Sequence, residues 1–244
     1  MTTVHCPIDR GKILRFQEIL GDPNPLHFDK KFAKRTRFKK PIVPAAYLFA
    51  LSETSGSTLL GARKKFRFYG SVLYSDKEVY FDTNQEGKLE YHVAISKRSK
   101  RSKRIMEVET LEFKAPKMEG ELRKYHEEEM TEAKIVELLD LAFDGDTSQL
   151  RVPMFYPAGL ISTALYKMFS SIVDENMYGF YHRLIFDGHN RPKIGDIVSV
   201  HVGEIKKNDS KGLHVLESIC MDQNEKPIVT ARTTLLTVPF EKAA

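Results

Sequence analysis

Apolar residues recur along this chain in two periods, and the switch from one period to the other happens twice. Ile13, Leu14, Phe16, Ile19 and Leu20 fall at helical spacing with polar residues between them, and Gly21 follows as a stop signal. Asp29 stands where its side chain can cap a short helix running to Lys34. Residues 44–57 are mostly apolar and predict a longer helix that opens at Pro44, a favoured first position. From Lys64 to Lys114 the period drops to two, as in Val79-Tyr80-Phe81, Leu89-Glu90-Tyr91-His92-Val93 and Ile105-Met106-Glu107-Val108-Glu109, which predicts strands. Asn84, Gly87 and a basic run supply the turns between them.

The same succession starts again near Met130. Ile135, Leu138, Leu139 and Ala142 predict an amphipathic helix, and Gly145-Asp146-Thr147-Ser148-Gln149-Leu150-Arg151 follows it as Gly21-Asp22 follows the first. Pro157-Ala158-Gly159 echoes Pro44-Ala45-Ala46 and opens a helix through Phe169. Strands are then expected at Ile197–Val202, Leu213–Cys220 and Ile228–Val238, where Thr234-Leu235 echoes Thr110-Leu111. Four elements recurring in one order imply two copies of one unit, 1–116 and 121–244, with a linker near Ala115–Gly120 and a charged stretch, Glu121–Glu129, after it.

Composition narrows the class. A chain of 244 residues can hold two domains, each able to bury a core. Cys6 and Cys220 form no disulfide framework and no metal-ligand spacing, which favours a reducing, cytoplasmic location. Residues 1–20 hold no apolar core of a signal peptide, and Ile42–Leu51 is too short to span a bilayer, so no membrane role is expected. The net charge of +5 comes largely from two clusters. One holds Lys30, Lys31, Lys34, Arg35, Arg37, Lys39 and Lys40; the other is Lys97–Arg104. Each reads as a solvated surface or as an attractor for a phosphorylated carrier. No nucleic-acid motif accompanies the charge, so nucleic acid is not an expected partner. No glycine-rich phosphate loop follows a strand, and His182 and His189 read as loop residues near a strand, so no nucleotide cofactor and no metal are expected.

One string carries chemistry. Gly21-Asp22-Pro23-Asn24-Pro25-Leu26-His27-Phe28-Asp29 places a carboxylate and an imidazole together in a loop stiffened by two prolines. Such a pair can polarise a water and pass its proton on. The bland alternative is an Asx-turn with a surface histidine. The string resembles the hydratase signature of the MaoC-like, (R)-specific enoyl-CoA hydratases, Gly-Asp-x-Asn-Pro-Leu-His-x-Asp, and matches it at every specified residue.

That resemblance implies an α+β fold, a tandem or double hotdog in which each antiparallel sheet wraps a central helix and the two units pair sheet to sheet. It implies hydration of trans-2-enoyl thioesters to (R)-3-hydroxyacyl thioesters, or the reverse, in fatty acid metabolism. Asp22 and His27 would be catalytic. Asn24, Val43, Pro44, Ala45 and Ala46 would form the substrate site, with N–H donors near Ala45 and Ala46 for the thioester oxygen. No cofactor is expected; coenzyme A or an acyl carrier protein would bring the substrate, and the chain could form a homodimer. Asp22 to Pro44 spans twice as many positions as Asp146 to Pro157, and by resemblance the missing overhang opens a tunnel for bulky chains. The alternative is that Met154, Phe155 and Tyr156 fill that space.

Two departures stand out. Relatives carry His-Gly where this chain has Pro44-Ala45, which adds a methyl and removes an N–H. They also carry a serine that positions the dyad, for which Ala62, Ser55 and Ser57 are the nearby positions here. In the second copy Arg151 replaces the histidine, cannot act as a base, and is expected to pair with Asp146. Two other activities stay open: a non-catalytic acyl-thioester-binding protein, and a hotdog thioesterase for which Glu53, otherwise an exposed helical residue, is the available acid.

Overall fold

In the computed structural model, which describes residues 3–54, 60–83, 89–94, 102–113, 118–143, 150–172 and 175–241, the first helical stretch forms α1 (Arg10–Ile19), capped by Asp9. Gly21 ends it at φ +60°, a left-handed conformation that side chains disfavour. A 3₁₀ turn at Pro25–His27 leads into α2 (Lys30–Arg35), whose cap Asp29 accepts from the N–H groups of Lys31 and Phe32. The central helix α3 (Ala45–Thr54) follows. Pro44 lies just outside it as the cap, its carbonyl taking the first bonds from Tyr47 and Leu48.

The first unit holds five strands: β1 (Thr3–Pro7), β2 (Arg63–Phe68), β3 (Glu78–Thr83), β4 (Leu89–Ala94) and β5 (Ser102–Leu111). The second repeats them as β6 (Arg123–Glu129), then α4 (Glu132–Phe143) and α5 (Phe155–Ile172). β7 (Met177–Gly188), β8 (Ile197–Asn208), β9 (Leu213–Asp222) and β10 (Pro227–Pro239) complete it. Among the described residues the strands run β1-β3-β4-β5-β2-β7-β10-β9-β8-β6, so the second unit reads outward from the seam in the same order as the first.

The sheet-to-sheet pairing of the two units runs through their inner edges: β2 pairs antiparallel with β7, from Arg63 opposite Asp187 to Arg67 opposite Arg183, and makes one ten-stranded sheet. The inner edges hide each other, which solves the edge-strand problem at the middle. Two expectations change. The charged stretch after the linker is itself the edge strand β6, with little buried surface to betray it. His182 lies within the long strand β7 and His189 just beyond it, its Nε2 3.0 Å from Thr230 Oγ1; among the described residues no cluster suits a metal. The Asn84 and Gly87 turn positions, most of the basic run, Asp146, Ser55 and Ser57 lie outside the described residues.

The two central helices α3 and α5 lie side by side on this sheet, and α1 packs against α4. Phe49 of α3 covers the seam, its ring 4.8 Å from Phe66 on β2 and 5.2 Å from Phe186 on β7. Burying those three rings ties the halves through one core. No described helix is long and apolar enough to cross a membrane.

Candidate functional site

The loop that leaves α1 is held from two sides before it reaches the chemistry. Gln17, on the last turns of α1, clasps the backbone of Asp22: its carbonyl accepts from Asp22 N–H at 3.2 Å and its Nε2 donates to the Asp22 carbonyl at 3.1 Å. From the other unit, Thr163 of α5 donates its hydroxyl to the Leu20 carbonyl at 3.1 Å. Both side chains are buried, so each bond is screened from water. Neither residue stood out in the sequence.

Asn24 then orders the turn. Its Oδ1 accepts from Leu26 N–H at 3.1 Å, which leaves its Nδ2 facing His27 Nε2 at 3.2 Å. His27 Nδ1 lies 2.9 Å from the Ile42 carbonyl, which can only accept, so Nδ1 carries the proton. Nε2 of the neutral ring is therefore the basic nitrogen. It faces Asp22 Oδ2 at 3.9 Å, too far for a direct hydrogen bond and suited to a water shared by both. Asp22 Oδ1 accepts from Asn24 N–H at 3.0 Å.

Both groups are nearly sealed, with side-chain exposures of 3 % for Asp22 and 9 % for His27. Burial raises the Asp22 pKa above its ordinary 3.8, against the lowering effects of His27 and the Asn24 N–H. A carboxylate whose pKa is raised is a stronger base than an ordinary surface aspartate, which suits it better to taking a proton.

The dyad opens on a cleft of about 910 Å³ counted with its mouth, walled by both units. Of the expected site residues, Asp22, Asn24, His27, Val43 and Ala45 line it. Pro44 and Ala46 do not; Pro44 is buried as the helix cap and Ala46 is 1 % exposed. The amides at the start of α3 have no acceptor within the helix, and the helix dipole adds positive potential there. The cleft's hydroxyls are Ser71, Ser162, Tyr166, Tyr181 and the exposed Tyr69. Ser162 and Tyr181 hydrogen-bond each other at 2.7 Å, and burial, reinforced by the Asp22 charge, raises the Tyr166 and Tyr181 phenols, so both stay protonated. Ala62, the described position near the expected serine, is not among the lining residues.

The start of α5 meets the end of α3. Glu53, near the end of α3, is not exposed: its carboxylate accepts from Met154 N–H at 3.2 Å and Phe155 N–H at 2.7 Å, at the start of α5. Burial raises its pKa, countered by those two N–H groups and by Arg191 and Arg151. It stands outside the cleft, committed to a helix terminus. Met154, Phe155 and Tyr156 are fully buried, and none of them lines the cleft. These three side chains, at the α5 end of the shorter loop, belong to the core.

Comparison with known proteins agrees with this architecture. Residues 2–106 match the family model described as MaoC like domain. A Streptomyces avermitilis protein, named only as a UPF0336 protein, is 28 % identical over 71 residues, which is 29 % of this chain and 47 % of that one. The match thus spans about half the length of that relative. Among solved structures, a MaoC-like dehydratase superposes with TM-score 0.66 at 10 % identity, over 96 % of this chain and 97 % of its own. A Mycobacterium tuberculosis protein described as having a double hotdog fold gives 0.64 at 11 %, over 97 % and 96 %. A MaoC-like dehydratase from Phytophthora capsici gives 0.57 at 10 %, over 99 % and 95 %. The fold is the double hotdog.

Proposed function

We propose that the MaoC-like domain at residues 2–106 makes this chain a hydratase that adds water to trans-2-enoyl thioesters, or removes it from (R)-3-hydroxyacyl thioesters. One observation carries the reading: His27 is fixed with its proton on Nδ1 and its Nε2 3.9 Å from the Asp22 carboxylate, a buried acid–imidazole pair that opens on the cleft.

A water held beside the pair, sharing His27 Nε2 with Asn24 Nδ2, gives one hydrogen to that nitrogen as a hydrogen bond and the other to the Asp22 carboxylate. As its oxygen bonds to Cβ of the enoyl group, Asp22 takes the proton, and the double-bond electrons move toward the thioester oxygen. The Ala45 amide, at the start of α3 and on the cleft wall, supplies a donor for that charge. Asp22 then returns its proton to Cα, so one water is added and the dyad is restored. The same steps backwards are dehydration. Asn24 positions His27, and Val43 and Ala45 bound the thioester.

The substrate's carrier is coenzyme A or an acyl carrier protein, drawn by the exposed cations of α2 and the loop after it. Glu53 gives no support to thioester hydrolysis, because its oxygens are occupied at α5.

Loss of the ultraviolet absorbance of conjugated crotonyl-CoA, without thiol release, tests the activity. Asp22→Asn and His27→Ala should each lower the rate about 10²-fold or more. A wild-type trace that stays flat with crotonyl and longer enoyl thioesters on either carrier would refute the proposal and leave the binding-protein reading. Chiral analysis of the 3-hydroxy product decides the (R) assignment.

A further inference from the structure

A second cavity adjoins the cleft. It measures about 620 Å³ with its mouth and shares Asn24, Leu26, Tyr166, Phe169 and Gly179 with the first. Beyond them its wall is largely apolar, formed by Phe32 of α2, Met177 and Tyr178 of β7, and Phe240, with Ser170 and the exposed Glu175 at the edge.

This wall is built, not incidental. Phe240 meets Phe32 edge-on at 5.2 Å and carries the Arg35 guanidinium over its face at 4.0 Å. Glu241 N–H donates to the Arg35 carbonyl at 2.8 Å, and Arg37 N–H donates to the Tyr178 hydroxyl at 2.9 Å. The residues after β10, together with β7, thereby pin α2 and the loop that follows it.

The Phe169 ring lies on the wall common to the two spaces. It lies against Gly179, where a Cβ would sit 2.4 Å from the ring, so only glycine admits it there. The buried His214 meets the ring edge-on at 5.7 Å and is itself held 2.6 Å from Glu204. The Gly179 backbone and this tethered imidazole both hold the ring.

We infer that the second cavity is a distal subsite for the tail of the acyl chain, and that Phe169 is the partition that sets how long a chain the cleft accepts. The inference rests on the acyl-thioester reading. An apolar tail that outgrows the first space has an apolar, aromatic continuation next to it, and Phe169 is the largest apolar side chain on the shared wall.

The test pairs turnover with binding. Phe169→Ala and the milder Phe169→Leu, each checked for a cooperative melt, are assayed with crotonyl-CoA and trans-2-hexadecenoyl-CoA. The ratio of kcat/KM for the long substrate to that for the short should rise roughly tenfold or more in Phe169→Ala. Binding is read separately, as the rise in Tm produced by saturated acyl-CoAs of increasing chain length. That series should extend to longer chains in Phe169→Ala even if turnover is absent. An unchanged ratio and an unchanged Tm series in folded variants would overturn the inference while leaving the hydratase reading in place. Wild-type protein stabilised by no acyl-CoA, and turning none over, would sink both.

Discussion

Asp22 pays for its position in stability, and the sign can be worked out. Its folded pKa is raised above 3.8 by burial, so the native state binds this proton more tightly than the unfolded chain does. Stability is therefore lost as pH rises from 3.8 through the raised folded value, and stays lower above it. Asp22→Asn should raise Tm at neutral pH, and the gain should shrink in melts below pH 3.8 while turnover is lost throughout. Functional groups held against their solvation commonly show this trade. Activity follows the same pKa in the opposite sense. Because the carboxylate form takes the water proton, the rate should fall as pH drops through a limb lying above 3.8, and that limb should vanish in Asp22→Asn. A pH–rate profile of wild-type protein showing no such limb would remove Asp22 from the base role.

At the scale of elements, α1 and α5 carry the dyad although neither contributes a catalytic group. α1 ends at Gly21 and delivers Asp22; Gln17 and Thr163 fix where that delivery falls. Thr163→Val keeps the shape and removes one buried hydrogen bond, at a cost of about 1 kcal/mol. The expected kinetic effect is larger: kcat falling roughly tenfold with KM little changed, because the loop loses its register to the bound substrate. Equal loss in KM and stability with kcat intact would make Thr163 a packing residue only. α3 contributes through both ends, its start facing the cleft and Glu53 near its end capping α5. Pseudo-symmetry explains this division. Two units side by side place each central helix against the other's loop, and only the first unit keeps the acid and the imidazole.

For the molecule as a whole, the seam between β2 and β7 decides what a single unit can do. Residues 1–118 expressed alone would bare β2 as an edge and uncover Phe66, which is 1 % exposed in the whole chain. Size-exclusion chromatography should find that fragment aggregated or paired through β2, never as a stable active monomer. A monomeric fragment with full turnover would mean the second unit is dispensable, contrary to its part in the cleft. The outer edges are guarded differently. β1 ends in Pro7, and β6 reads Arg-Lys-Tyr-His-Glu-Glu-Glu, so both discourage strand addition.

Local, contiguous information was legible in the sequence by itself. The dyad, its prolines, the Asp29 cap and the Gly21 stop all act over a few residues, and the period of apolar positions located most helices and inner strands because one face of each is buried. The repeat of that succession was legible for the same reason. β6 was not, since an edge strand of charged residues has little buried face to leave a pattern. Glu53, exposed by helical periodicity, became half-buried only when α5 brought two unpaired amides to it. Ser162, Tyr181 and Phe169 reach the cleft, and Thr163 reaches Leu20, across the boundary between units, where sequence spacing carries no signal. Tertiary structure alone decided that the halves join edge to edge, because that choice rests on the Phe49, Phe66 and Phe186 cluster and the β2–β7 register together.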